Sequence, residues 1–314
     1  MSSKVKRTYA SRSDRPNIRS SSPILPAPCP KRKRPFDDFR PSSAPKPIAK
    51  RVRVSQEKTR QTTLKQLHFC IDQSVVKTCS LCQLAYTKGA EDDEALHRAH
   101  CAKVQRGMGW GREEEREKDS ARVKEIQDRV RLKDGKRGRI ICMDATLGGR
   151  IGTKLSELLE TINVTLAAPP LSSEALRASK AYLFLLPDVT PNKEQIVGCI
   201  IAQRIEKAMA VAPSGRASSS PDSLIAIDHG SGLFCYPEPL PTALGISRIF
   251  VTSAHRRKGI AGKLLSAAAD TFVHGCILNP KEGQVAFSQT TGDGMALMRN
   301  WGQGGIRIYD EDDC

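Results

Sequence analysis

The chain is 314 residues long, 39% apolar, and carries 50 Lys and Arg against 34 Asp and Glu, a net charge of +16. That length allows about two domains, and that apolar fraction supplies a core for part of the chain rather than all of it. A membrane span is not expected, since no apolar run approaches the roughly 18 residues one needs; a disulfide framework is disfavoured, since the ten cysteines are spread over a long chain whose opening, MSSKVKRTYASRSDRP, lacks the apolar core of a secretory signal.

Residues 1–60 are predicted to be a disordered basic tail. Their Ser-, Pro-, Arg- and Lys-rich composition cannot bury enough surface to offset the entropy of ordering. Residues 1–65 hold 18 Lys and Arg against 4 Asp and Glu, so nearly all the excess charge sits here and the rest of the chain is close to neutral. Such a tail suits a polyanion, with chromatin or DNA phosphates as a loose, salt-sensitive partner, or a nuclear address. Lys31-Arg32-Lys33-Arg34, between Pro30 and Pro35, reads as a nuclear import signal. Gln61 to Phe69, QTTLKQLHF, resembles a degenerate sliding-clamp peptide, with Leu67 and His68 where that motif wants aromatics and Phe69 one place late. It reads equally as a strand leading into the next element.

Residues 61–105 hold this peptide and a compact finger. Cys79-Ser80-Leu81-Cys82 is followed, after fourteen residues, by His97-Arg98-Ala99-His100-Cys101. A Cys-x2-Cys knuckle puts two thiolates at one corner of a tetrahedron, and a helix then presents two more ligands about one turn apart. The predicted metal ligands are Cys79, Cys82, His97 and Cys101, with His100 as the alternative fourth. A Cys-x2-Cys by itself could be a redox pair, but the paired downstream ligands favour zinc. Four acids, Glu91 to Glu94, precede His97, which argues for a structural or protein-contact role over base readout.

Residues 106–137 carry dense alternating charge and predict an exposed helix or linker. From residue 138 to 314 apolar density stays high. Ile140 to Met143 is expected to be the first strand, and Ile151 to Ile162 a helix with Leu155, Leu158 and Leu159 on its inner face. Ala181 to Leu186 and Ile196 to Ile205 read as a strand pair joined by a turn at Pro187 to Asn192. Residues 213–223 are Ser-rich and read as an exposed loop. Strands alternating with helices make this an α/β or α+β domain.

The most telling stretch is Gly245 to Phe272. Ile249-Phe250-Val251 reads as a buried strand, and Ile260, Leu264, Leu265, Ala268 and Phe272 stack on one face of a helix. Between them, Arg256-Arg257-Lys258-Gly259 empties into the helix N-terminus, where unpaired N–H groups and the positive end of the macrodipole gather. Gly259 lets backbone approach a ligand with no Cβ in the way. That combination suits a pyrophosphate.

Arg256-x-x-Gly259-x-Ala261 after a strand resembles the acetyl-coenzyme A loop of the GNAT acetyltransferases. More specifically, Gly245-Ile246-Ser247-Arg248-Ile249-Phe250-Val251 followed by Arg256-Arg257-Lys258 is similar to the cohesion-establishment acetyltransferases, the Eco/Eso/ESCO family. Phe234-Cys235-Tyr236-Pro237-Glu238-Pro239 stands at that family's aromatic residue and Pro-Glu-Pro turn. Ala286-Phe287-Ser288 and Asp293-Gly294 stand at its Ala-Phe-Ser and Pro-Asp-Gly. In the finger, Tyr86, the acids at 91–94 and His97 match, whereas Cys101 replaces the family's last histidine. The resemblance covers residues from about 70 to 309.

It implies a GNAT fold, α/β (α+β) with a mixed central sheet, preceded by the zinc finger and the tail. It implies a nuclear protein-lysine N-acetyltransferase that uses acetyl-CoA and holds structural Zn2+. The acceptor would be the head of a cohesin SMC subunit, and the role sister-chromatid cohesion established in S phase during DNA replication. By resemblance, Ile249, Phe250 and Val251 hold the pantetheine and thioester, and Arg256, Arg257, Lys258, Gly259, Ile260 and Ala261 bind the pyrophosphate. Asp293 stands at the catalytic aspartate, with Ser253 as second candidate, orienting the amine or relaying its proton. By residue type alone Asp293-Gly294 is a turn dipeptide. Thr290-Thr291-Gly292 replaces a proline before it, and Trp301 to Gly305 is unusually glycine-rich. His255 is expected at the solvent. Two other readings compete: a zinc-finger chromatin adaptor with an inactive acetyltransferase fold, against which the intact loop argues, and a GNAT enzyme for another nuclear protein such as histone.

Overall fold

The computed structural model describes residues 75–212, 224–228, 233–289 and 291–311. The basic tail, Lys31 to Arg34, Gln61 to Phe69 and the loop at 213–223 lie outside the described residues. Among them, no helix is long and apolar enough to cross a membrane.

The finger is a hairpin of β1 (Val76–Thr78) and β2 (Ala85–Thr87) followed by α1 (Glu91–Arg106). The four acids occupy the first turn of α1, and Lys103 and Arg106 the last, each complementing the nearer end of the helix dipole. They therefore stabilise the ligand-bearing helix.

The stretch at 106–137, read as an exposed helix or linker, is a helix only in part, and the linker reading is corrected by the structure. It holds β3 (Met108–Trp110), α2 (Arg112–Glu117) and β4 (Lys124–Arg131), and two of these are strands of the main sheet. Trp110 is buried, and its indole N–H donates to Glu115 at 2.9 Å. Part of this charge is paired rather than solvated. Arg139, on β5 (Arg137–Asp144), donates to Glu115, Glu125 and Glu194 at once. Burial works against ionisation of Glu115, but Arg139 and the Trp110 N–H hold its carboxyl down at about 2. Part of the charge here therefore belongs to a paired cluster, with Lys118 and Arg139 holding Glu115 and Glu125.

The chain continues through α3 (Gly149–Leu166), α4 (Ser173–Arg177), β6 (Ser179–Pro187), β7 (Glu194–Arg204), β8 (Lys207–Val211), β9 (Ile225–Asp228), β10 (Leu233–Pro241), β11 (Leu244–Val251), α5 (Ile260–Thr271), β12 (Val285–Phe287), α6 (Gly292–Gly302) and β13 (Arg307–Ile308). The sheet order is β4-β5-β6-β7-β11-β12-β13-β8-β10-β9, with β3 added to β7. Pairing is antiparallel except for β11–β12 and β12–β13, so the sheet is mixed. The Pro-Glu-Pro expected as a turn lies inside β10. A register shift there sets four steps, Cys235 to Pro239, against two on β8, which takes Pro237 out of the ladder.

Central strands read as continuous apolar runs because helices cover both faces. Tyr182, Phe184 and Leu186 face one core with α5 and α6; Ala181, Leu183 and Leu185 face the other with Leu155, Leu158, Leu159 and Ile162 of α3. β11 breaks this alternation at one point. Its partners on β7 run Ile246 to Ala202 and then Arg248 to Ile201, so Ser247 is an extra residue, a bulge. Beyond it Phe250 turns to the α3 core, while Ile249 and Val251 pack on the α5 side.

The bulge is held by its own carbonyl. Ser247 O accepts from the Ser288 hydroxyl at 3.0 Å and from the Arg248 guanidinium at 2.8 Å. Arg248, only 4% exposed, also donates to Asn163, to Pro169 O and to Glu311. Ser288→Ala should therefore lower stability by about 1 kcal/mol and Arg248→Ala by about 3 kcal/mol, since the latter strands a carboxylate and three carbonyl-type acceptors. Urea unfolding midpoints check both; equal, small losses would mean the bulge does not depend on Arg248.

Candidate active site and metal centre

β12 accompanies β11 only from Leu244 to Ile246, and the Ser288 N–H then closes on Ile246 O at 3.1 Å. Past the bulge, β11 runs from Arg248 to Val251 against β7 alone. One edge of its backbone is thus left open. At its end come buried Thr252, a 3-10 turn (Ser253–His255), the basic loop and α5.

Arg257 and Gly259 are both left-handed, with φ of 63° and 90°. Gly259 is the N-cap of α5 and supplies no side-chain cap, so the first-turn N–H groups stay open to a ligand. The helix seats closely because β7 offers Gly198: a Cβ there would lie 2.7 Å from Ile260 Cγ2 and 3.0 Å from Leu264 Cδ1. Gly198→Val would push the first turn of α5 off the sheet.

A cavity of about 590 Å³ follows this opening. Ile249, Phe250 and Val251 line it, as do Arg256, Arg257, Gly259, Ile260 and Ala261, and α6 closes it with Asp293. α6 is fixed against its neighbours: Trp301 donates to Ser266 of α5 at 3.2 Å and meets Phe287 edge-on at 6.2 Å. Asp293 stands in the first turn of α6 rather than in a free turn, with its carboxylate 3.7 Å from both Arg256 and Arg257.

Two predicted residues stand elsewhere. Lys258 does not line the cavity; its ammonium pairs with Asp134 at 3.0 Å. Ser253 is half-buried in the 3-10 turn and also does not line it. His255, expected at the solvent, is half-buried and does line it, with Nδ1 2.9 Å from the Thr252 hydroxyl. Burial, with Lys258 and Lys136 adding repulsion, lowers its pKa and favours the neutral ring. The expectation failed because α1 packs on the 3-10 turn, a long-range contact that residue type does not announce.

In the finger, ligand atoms of Cys79, Cys82, His97 and Cys101 all lie within 4.8 Å of one another. His100 instead faces α3, its Nε2 3.5 Å from the Thr165 hydroxyl. The set fits zinc on an observation besides proximity: His97 Nε2 is buried with no hydrogen-bond partner. The ring stacks on Tyr86 at 4.1 Å, which fixes its plane. Backbone N–H groups of Cys82 and Leu81 draw the Cys79 thiol down to about 6, while burial raises Cys82 to about 11. A bound dication would keep both as thiolates. Gln105 Nε2, 2.9 Å from Cys101 Sγ, supports the fourth ligand from the next turn. The finger is no separate appendage: Leu81, Cys82, Gln83 and Val104 line the same cavity as the loop.

Residues 240–309 match the family described as ESCO1/2 acetyl-transferase, and residues 66–103 match the zinc-finger of acetyl-transferase ESCO. Among curated relatives, N-acetyltransferase ECO1 of Yarrowia lipolytica is 25% identical over 87% of this chain and 84% of that protein. N-acetyltransferase ESCO2 of Homo sapiens is 28% identical over 69% of this chain but 32% of that protein, so the chain spans about a third of the human relative. Among solved structures, that of the xEco2 acetyltransferase domain bound to a K105-CoA conjugate aligns with 60% of this chain and 97% of its own, at 25% identity and a TM-score of 0.47. The chain thus matches both ESCO domain families, the zinc finger over residues 66–103 and the acetyltransferase over residues 240–309.

The ligand geometry predicts that Cys101→Ser loses zinc and His100→Ala keeps it, read by elemental analysis of the purified full chain. The reverse pattern would hand the fourth position to His100.

Proposed function

We propose that this ESCO-type acetyltransferase transfers acetyl groups from acetyl-CoA to lysine side chains of the cohesin SMC head, in the nucleus, and so establishes sister-chromatid cohesion in S phase. The observation that carries the reading is the continuity of three features in one cavity: the open edge of β11, the uncapped start of α5 with its two arginines, and a carboxylate on α6. An adaptor with an inactive fold has no need of these features together.

Acetyl-CoA, when bound, supplies a thioester already activated for acyl transfer. The chain's residues do the rest. The backbone of Ile249 to Val251 holds the pantetheine arm as an added strand, because amides past the Ser247 bulge lack a β12 partner. First-turn N–H groups of α5, with Arg256 and Arg257, take the pyrophosphate. Asp293 attracts the cationic lysine and accepts its proton before attack; the proton finally accompanies the departing thiolate. A backbone N–H on the edge of β11 that β12 leaves unpaired would donate to the tetrahedral oxyanion.

Zinc plays no chemical part here. It fixes Cys79, Cys82, His97 and Cys101, and thereby the Leu81 to Gln83 knuckle that walls the cavity. Tail residues 1–60 add a weak hold on chromatin through phosphates, and Gln61 to Phe69 a contact to the sliding clamp; these partners are the least constrained part of the proposal.

The test is transfer of labelled acetyl from acetyl-CoA to a recombinant cohesin head. Asp293→Asn should lower kcat by about 100-fold, the usual scale for losing a positioned base. Coenzyme A binding should be kept or tightened, because the variant frees Arg256 and Arg257 from a competing carboxylate. Undiminished kcat moves the base to His255, which lines the cavity, or to Ser253. Coenzyme A binding without transfer to the head directs the enzyme to another nuclear acceptor, such as histone.

A further inference from the structure

The loop motif makes Lys258 the third cation for phosphate, yet the structure spends that ammonium on Asp134. The cation that lines the cavity in its place is Lys133, from the tip of the β4–β5 hairpin. Nothing in the loop's sequence points there, since 125 positions separate Lys133 from Lys258.

Three contacts bring the two segments together. The Lys133 N–H donates to the Lys258 carbonyl at 3.3 Å. Asp134 pairs with the Lys258 ammonium at 3.0 Å, and this partner holds the Asp134 carboxyl below its usual range. The Lys133 stem passes Gly259: a Cβ on that glycine would sit 3.9 Å from Lys133 Cε. The hairpin tip is itself closed by Leu132 N–H to Lys136 O at 2.9 Å and Gly135 N–H to Leu132 O at 3.1 Å. Lys133 is therefore presented from a fixed backbone beside the uncapped first turn of α5. Its side chain is exposed, and among the described residues its ammonium has no ion pair.

We propose that Lys133 is a phosphate ligand of coenzyme A, and that Lys258 is a positioning residue that holds the hairpin against the loop. The inference rests on the acetyl-CoA reading above. A flexible four-carbon stem ending in a point charge suits a phosphate in the cavity that Arg256 and Arg257 also line. Coenzyme A offers two such groups, the pyrophosphate and the 3′-phosphate of its ribose.

Calorimetric titration of the full chain with coenzyme A and with 3′-dephospho-coenzyme A separates them. Lys133→Gln should weaken coenzyme A about tenfold, the loss expected of one charge-assisted contact, and Lys133→Arg should restore most of it. An equal loss with both ligands assigns the pyrophosphate; a loss with coenzyme A alone assigns the 3′-phosphate. Either supports the proposal. Lys133→Gln binding both ligands within about twofold of wild type, while Lys258→Gln weakens them, would overturn it and return the contact to Lys258. Wild type binding neither ligand would overturn the acetyl-CoA reading itself, a different failure.

Discussion

The open edge of β11 depends on one extra residue. A strand hydrogen-bonded on both sides offers no amide to a ligand, and a strand free on both sides does not hold its shape. Ser247 resolves this by inserting into β11 where β12 departs, so the β7 ladder continues and the β12 ladder stops. The cost of a bulge is an orphaned carbonyl, and here Ser288 and Arg248 satisfy it. Arg248 then ties the bulge to the C-terminal end of α3, through Asn163, and to Glu311 near the end of the chain. Residues from four distant segments thus converge on a single backbone kink.

The cavity that follows is walled by segments far apart in sequence. The finger knuckle, the β4–β5 hairpin, β11 with its loop, and α6 each supply a side. Two of these are fixed by specific contacts: the hairpin is pinned by Asp134 and Lys258, and α6 by Trp301. The finger joins through α1, which packs on the 3-10 turn after β11 and on α3. A zinc ion held by the finger would brace that wall directly, since its ligand Cys82 lines the cavity, a physical reason for one chain to carry both domains.

Local chemistry was legible in the sequence, and long-range pairing was not. The helix face of Leu155, Leu158 and Leu159, the strands around Leu183 and Ile200, and the start of α5 all follow from periodicity and from Gly259. The metal set follows from spacing, because i and i+4 on a helix share a face whatever surrounds them. What periodicity missed has a common cause. β4 looked like a linker because its Glu125 is paired by Arg139, a residue of the neighbouring strand β5. Lys258 looked like a ligand because its partner, Asp134, belongs to another hairpin. His255 looked solvated because the helix that covers it belongs to the finger. Charged and polar residues take their role from what meets them, and that is set by topology.

Amide hydrogen exchange on the full chain, with and without acetyl-CoA, tests the central claim most directly. The account predicts new protection at residues 248–251 on β11 and at residues 260–262 at the start of α5, with β12 unchanged. Protection absent from β11, or confined to segments outside the cavity, would contradict it.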